Sequence, residues 1–189
     1  MADDGDRIVD LLKSIENQIT TEWWYVTRCI NKIEASNDTQ SDLFECCVEL
    51  REDPKIGGAR NLYGRHGIYV FLLDEPIELS TEEIKVFNSL KGAKLKDKES
   101  FSACEGSCLY AGSSCSDSLY VRLRNHFKED YKGASLHLGA PERNKLLGKV
   151  TAYVFPIKKK YEPYLKIIMP TLETKLHEDY MPLAGSSRT

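Results

Sequence analysis

Gly67-Ile-Tyr-Val-Phe-Leu-Leu73 decides how the rest of the chain is read. It is a short, wholly apolar run bounded by turn residues, the pattern of a strand buried on both faces. Working downstream, Ser107-Cys-Leu-Tyr-Ala-Gly112 repeats the pattern and ends on a glycine turn. A third strand is expected over Lys149–Ile157, with Val150, Ala152 and Val154 alternating inward. Between the first two strands, residues 74–106 are polar and lysine-rich, with one helical candidate at Thr81–Leu90.

Helices surround these strands. Asp117 is expected to cap a helix running to about Asp130, with Leu119, Leu123 and Phe127 along one side. Tyr161–Met169 and Thr171–Tyr180 read as two closing helices, Pro170 suiting the first turn of the second. Upstream, Ile8, Leu11, Leu12, Ile15 and Ile19 form an amphipathic stripe. Thr20 or Thr21 is expected to cap a second helix carrying Trp23, Val26, Ile30 and Ile33. A third helix fits Asp42–Glu52, after which Pro54, Gly57 and Gly58 break the chain. Both tryptophans are expected to anchor these helices to the core.

With 41% apolar and 10% aromatic residues, the chain of 189 residues can bury a core, which excludes a disordered polymer. Its longest apolar run, Ile68–Leu73, is far short of the ~20 residues that span a bilayer. The acidic start MADDGDRIVD lacks the basic and then apolar character of a secretory signal, so a cytoplasmic location is expected. The six cysteines are then expected to be reduced thiols. Cys104, Cys108 and Cys115 leave a zinc-stabilised domain as a further reading.

Net charge is −3 overall, but its distribution is uneven. Residues 1–50 carry 4 basic against 11 acidic residues; residues 122–166 carry 11 against 4. A basic segment of this kind is what one polyanion-binding face would show.

Collected by element, the polar residues suit phosphodiester chemistry. Tyr69 lies on the first strand and Tyr110 on the second; Arg122 and His126, four apart, share one helix face. Glu173 lies on the last helix. A guanidinium can hold a phosphate and neutralise developing charge. A carboxylate can hold a hard cation, and a phenol or imidazole can relay a proton.

In order and context these residues resemble the GIY-YIG endonuclease module. The resemblance rests on Gly67-Ile68-Tyr69, Tyr110-Ala111-Gly112, the Arg122–His126 pair, and Glu173 followed by Pro182, and it covers residues 67 to 185. It implies a mixed α+β fold: a small three-stranded, mainly antiparallel sheet flanked by helices. Residues 1–60 would be a helical N-terminal region and 61–189 the nuclease-like domain. Because Tyr69 and Tyr110 lie 41 positions apart, residues 74–106 would be an insertion serving as a DNA-contacting or dimerising arm.

The implied activity is metal-dependent hydrolysis of double-stranded DNA, of restriction or defence type. RNA remains open as a substrate and a homodimer as the assembly. Tyr69, Tyr110, Arg122, His126 and Glu173 would be catalytic, with Glu173 ligating Mg²⁺ or Mn²⁺ and Tyr69 a base whose pKa its cationic neighbours lower. Arg124, Lys128, Lys132, Arg143 and Lys145 are the candidate nucleic-acid contacts. Family members often place an Asn near where this chain has Gly185. The alternative is a catalytically silent module that binds nucleic acid or protein.

Overall fold

The computed structural model of the protein describes residues 4–32, 40–96, 101–129, 133 and 135–185. The run Gly67–Leu73 forms strand β2 at the centre of the main sheet, and all seven of its residues are buried. The reason is pairing on both sides: β2 runs antiparallel to β5 (Cys108–Ser114) and to β6 (Val150–Pro156). A strand with neighbours on both edges and helices over both faces has no solvent side, so an unbroken apolar sequence suits it. β6 is likewise buried along its whole length rather than alternating.

The mixed α+β class is therefore observed, with a main sheet of four strands where three were expected. A short strand β1 (Val48–Leu50) pairs with β6, giving the order β1-β6-β2-β5. It comes from the stretch whose spacing suggested a helix over Asp42–Glu52. Of the residues that helix would turn inward, Leu43, Phe44 and Leu50 are buried, but against the sheet, where Phe44 also bridges to Ile157, while Cys47 and Val48 are half-buried. Pairing with the open edge of β6 outweighs a weak helical periodicity.

The N-terminal stripe forms one helix, α1 (Asp4–Ile30), rather than two separated at Thr20-Thr21. Ile15, Ile19, Trp23, Val26 and Ile30 are buried at helical spacing. Trp23 is an anchor, its Nε1 donating to Asp179 Oδ2 at 2.5 Å, whereas Trp24 stays 39% exposed. The expected stop at 36–38 lies outside the described residues. At the other end, α4 (Leu165–Tyr180) is also one helix where two were expected. Pro170 lies inside it on the exposed side and costs it a hydrogen bond to the Lys166 carbonyl.

Successive residues of β2 point to opposite faces. Ile68, Val70 and Leu72 pack with α1 and α4. Tyr69, Phe71 and Leu73 pack with α3 (Leu119–Phe127) and with the insertion. Ser118 caps α3, its Oγ accepting from the Val121 N–H at 3.3 Å, one residue after the expected Asp117.

The insertion folds back instead of projecting as an arm. Its strands β3 (Ile77–Leu79) and β4 (Phe101–Ala103) pair with each other, and α2 (Thr81–Ser89) lies between them with a Ser80–Glu83 capping box. Ile77, Leu79, Ile84, Phe87 and Phe101 join the core of the α3 face. The C-terminal tail then runs along β5: Leu183 and Ala184 donate to the Cys108 and Leu109 carbonyls, and Lys96 donates to Leu183. Among the described residues no helix is long and apolar enough to cross a membrane.

Candidate active site

Two glycines explain why the tyrosine motifs have their form. A Cβ on Gly67 would lie 2.2 Å from the Phe155 carbonyl oxygen, so only glycine lets β2 pair with β6 there. Gly112 stands directly opposite Tyr69 in the β2–β5 ladder. A Cβ on Gly112 would lie 2.8 Å from Tyr69 Oη. The missing side chain makes room for the phenol.

Behind that glycine the rings form one cluster. Tyr69 and Tyr110 are stacked at 6.3 Å, and His126 lies 5.3 Å from Tyr69 and 4.8 Å from Tyr110. Tyr69 Oη accepts from Arg122 Nε at 3.2 Å. The Leu136 N–H donates to His126 Nδ1 at 3.0 Å, so the imidazole hydrogen sits on Nε2, which donates to Tyr69 Oη at 3.0 Å. One phenol oxygen thus receives two donors from a single face of α3. Arg122 reaches the Tyr110 hydroxyl as well.

Burial sets the protonation states. It pushes the Tyr69 phenol well above its ordinary value; Tyr110 adds to the rise and Arg122 only partly opposes it. The expected lowering by cationic neighbours is therefore reversed, because removal from water outweighs one guanidinium. Burial also drives His126 well below its usual range, with Arg122 acting in the same sense, so the imidazole is neutral. Burial would lower Arg122 too, but the Tyr69 and Tyr110 oxygens hold it above its ordinary value.

A cleft of about 220 Å³ opens in front of this cluster, lined by Tyr110, Gly112, Ser113, Arg122, Glu173 and Gly185 among others. Three of the five predicted residues, Tyr110, Arg122 and Glu173, line the cleft, while Tyr69 is fully buried against Gly112 in its wall. His126 lies behind the ring cluster, fully buried. Glu173 comes from α4, and its Oε2 accepts from Ser113 Oγ at 3.0 Å.

The cleft also has walls that sequence reasoning missed. Lys94 contributes its stem from the insertion, its ammonium bound to the Asn88 and Leu90 carbonyls at the end of α2. Ser113 follows the second motif directly, and His177 lies one helical turn beyond Glu173, a spacing legible in the sequence. Gly185 has φ +96°, and a Cβ there would come within 3.1 Å of the Tyr110 ring. Backbone shape thus favours glycine at this position.

The predicted basic contacts divide. Arg143 is a correction: it is fully buried, with Nε and Nη2 donating to the Phe87 carbonyl at 3.1 and 2.8 Å and Nη1 to Leu136 at 2.7 Å. Its guanidinium lies 4.1 Å over the Phe87 ring, and burial pulls it down to about 10. It closes the C-terminal end of α2 and has no surface to offer a phosphate. Lys145 is exposed and pairs with Glu83 beside a separate groove. Arg124 on α3 and Lys128 just after it are half-buried, and Lys132 lies outside the described residues.

A cation fits this donor set in one way. Glu173 is the carboxylate of the cleft, and among the described residues no three His, Cys, Asp or Glu side chains group to form a cage. One carboxylate with room for water suits Mg²⁺ or Mn²⁺, which keeps several waters and takes phosphate oxygens. The zinc reading is a correction. Cys108 is buried at the start of β5, whereas Cys115 follows its end, about 20 Å away at strand rise.

Comparisons with protein-family models, with curated proteins and with solved structures find no match to this chain.

Proposed function

We propose that the protein is a metal-dependent phosphodiester hydrolase acting on double-stranded DNA in the cytoplasm. The supporting observation is one cleft that gathers Tyr110, Arg122 and Glu173 in front of Tyr69, with Gly112 as the gap between cleft and phenol.

Each side chain then has a task. Arg122 binds a non-bridging phosphate oxygen and balances the charge that grows there during attack. Its Nε is held by Tyr69, so the guanidinium keeps its aim. Tyr110, on the cleft wall, orients the attacking water. Tyr69 acts as base in its minor phenolate form: its own proton passes to solvent water in the cleft, and Oη then takes the proton of the attacking water beside Gly112. The two donors, Arg122 and His126, offset part of the cost that burial places on the charge of that oxygen. His126 stays neutral and fixes the ring by donation from Nε2.

Glu173, held by Ser113, would bind the divalent cation, which supplies charge stabilisation at the scissile phosphate and the leaving oxygen. One such cleft cuts one strand; a homodimer would bring two to a duplex and suit a restriction or defence role. A plasmid-nicking assay with Mg²⁺ against EDTA tests the reading, with wild type beside Glu173→Ala and Tyr69→Phe. Nicking by the wild type alone supports it. Equal inertness over several cations, with DNA still bound, leaves the silent binding module in its place.

A further inference from the structure

On the opposite face of the sheet from the cleft, Cys29 of α1 meets Cys47, the residue before β1. Tyr25 organises the place: its Oη donates to the Glu45 carbonyl at 3.2 Å and accepts from the Cys47 N–H at 3.2 Å. This clamp fixes the backbone of residues 45–47 against α1. Cys29 lies one helical turn after Tyr25 and so shares its face. Both Cys29 and Cys47 are half-buried against the core formed by α1, α4 and the sheet. Their thiols hydrogen-bond to each other, and the Tyr25 hydroxyl lies beside Cys29. Cys46, next in sequence, is exposed.

We infer that Cys29 and Cys47 form a peroxide-responsive thiol pair that closes into an intramolecular disulfide joining α1 to the edge of the sheet. Cys29 is the attacking thiol. It lies on α1 beside the Tyr25 hydroxyl, and the bond from Cys47 outweighs burial and holds it below its ordinary value, whereas that bond and burial push Cys47 up. In the first step the Cys29 thiolate attacks one oxygen of hydrogen peroxide; an S–O bond forms, the O–O bond breaks, and hydroxide leaves to become water. Cys29 is then a sulfenic acid. In the second step Cys47 sulfur attacks Cys29 sulfur; an S–S bond forms, the S–O bond breaks, and the departing hydroxide takes the Cys47 proton as water. Two thiols are oxidised and one peroxide is reduced to two waters.

The inference does not depend on the proposed nuclease activity. It is tested on the full reduced chain treated with one equivalent of hydrogen peroxide, then alkylated, digested and read by mass spectrometry. Expected is a loss of two hydrogens and a cross-linked pair of peptides joining Cys29 to Cys47, unchanged in Cys46→Ser. Cys47→Ser is expected to stop at a sulfenic acid on Cys29 that a dimedone probe captures. Because a serine at either position can disturb folding, the wild type is also labelled with limiting iodoacetamide. Cys29 is expected to react before the exposed Cys104 and Cys115. A Cys46–Cys47 bridge, cross-linking only between chains, or Cys29 reacting no faster than the exposed thiols overturns the assignment.

Discussion

The two faces of the central sheet are made from alternate residues of the same strands, yet they solve different problems. On the α1/α4 face, Ile68, Val70, Phe155, Ile168 and Leu172 form an apolar centre, with polar bonds such as Trp23–Asp179 and Tyr25–Glu45 around it. On the α3 face, Tyr69, Phe71, Tyr110 and His126 form an aromatic cluster whose polar atoms meet one another, Arg122 and the Leu136 N–H. The first face makes the fold stable. The second spends part of that stability holding a phenol, an imidazole and a guanidinium away from water. Alternation along a single strand separates the two tasks at no cost in chain length.

The adjacent residues Leu172 and Glu173 of α4 offer the sharpest way to break this division, since one faces each region. Glu173→Ala is expected to lower plasmid nicking about 10³-fold, the scale of several kcal/mol of lost charge stabilisation. Its denaturant midpoint should stay near wild type, because the carboxylate is half-exposed. Tyr69→Phe is expected to lose about 10²–10⁴-fold in rate. It should also cost about 1–3 kcal/mol, since two buried donors lose their acceptor. Full activity in either variant would end the proposed division of labour.

Leu172→Ala should do the converse. The side chain is fully buried, so about 2–5 kcal/mol of stability is expected to go, read in chemical denaturation. The nicking rate per folded molecule should remain unchanged. A smaller effect, crossing from one role to the other, is expected for Gly112→Ala. Its Cβ would press on Tyr69 Oη, costing about 1–3 kcal/mol of packing and lowering the rate by about tenfold.

The smallest effects are those of pH. His126 is depressed in the folded state, so the unfolded chain binds the extra proton; stability is present above about pH 6.5 and falls as the pH drops below it. The Tyr69 phenol is raised, and Tyr25 and Tyr180 are pushed up to about 12, so the unfolded chain ionises first. Stability is then present below about pH 10 and falls as the pH rises beyond it. Thermal melts across that range should show both shoulders, and Tyr69→Phe should soften the alkaline one.

The features legible in the sequence were those carried by local spacing. An apolar run of seven residues marks β2 because pairing on both edges leaves no polar side. The i, i+4 separation of Arg122 and His126 places them together whatever surrounds the helix. Other features depend on what meets what across long distances. Nothing local distinguishes Arg143, a buried clamp on α2, from a surface cation that awaits a phosphate. β1 forms only because β6 offers an edge, so Val48–Leu50 could not be told from a helical turn. The cleft walls at 92–94 and 185 come from segments without a motif, brought together by tail pairing.

That tail has a bearing on the life of the chain during its synthesis. The cleft needs Lys94 from the insertion, Arg122 from α3, Glu173 from α4 and Gly185 beyond it, and the bonds that set the last wall run from Gly185 to Lys94 and from Ala184 to Leu109. A ribosome releases these pieces in order, over a span of nearly the whole domain. No nascent chain that stops short of Gly185 holds a finished cleft, however much of the sheet has already formed.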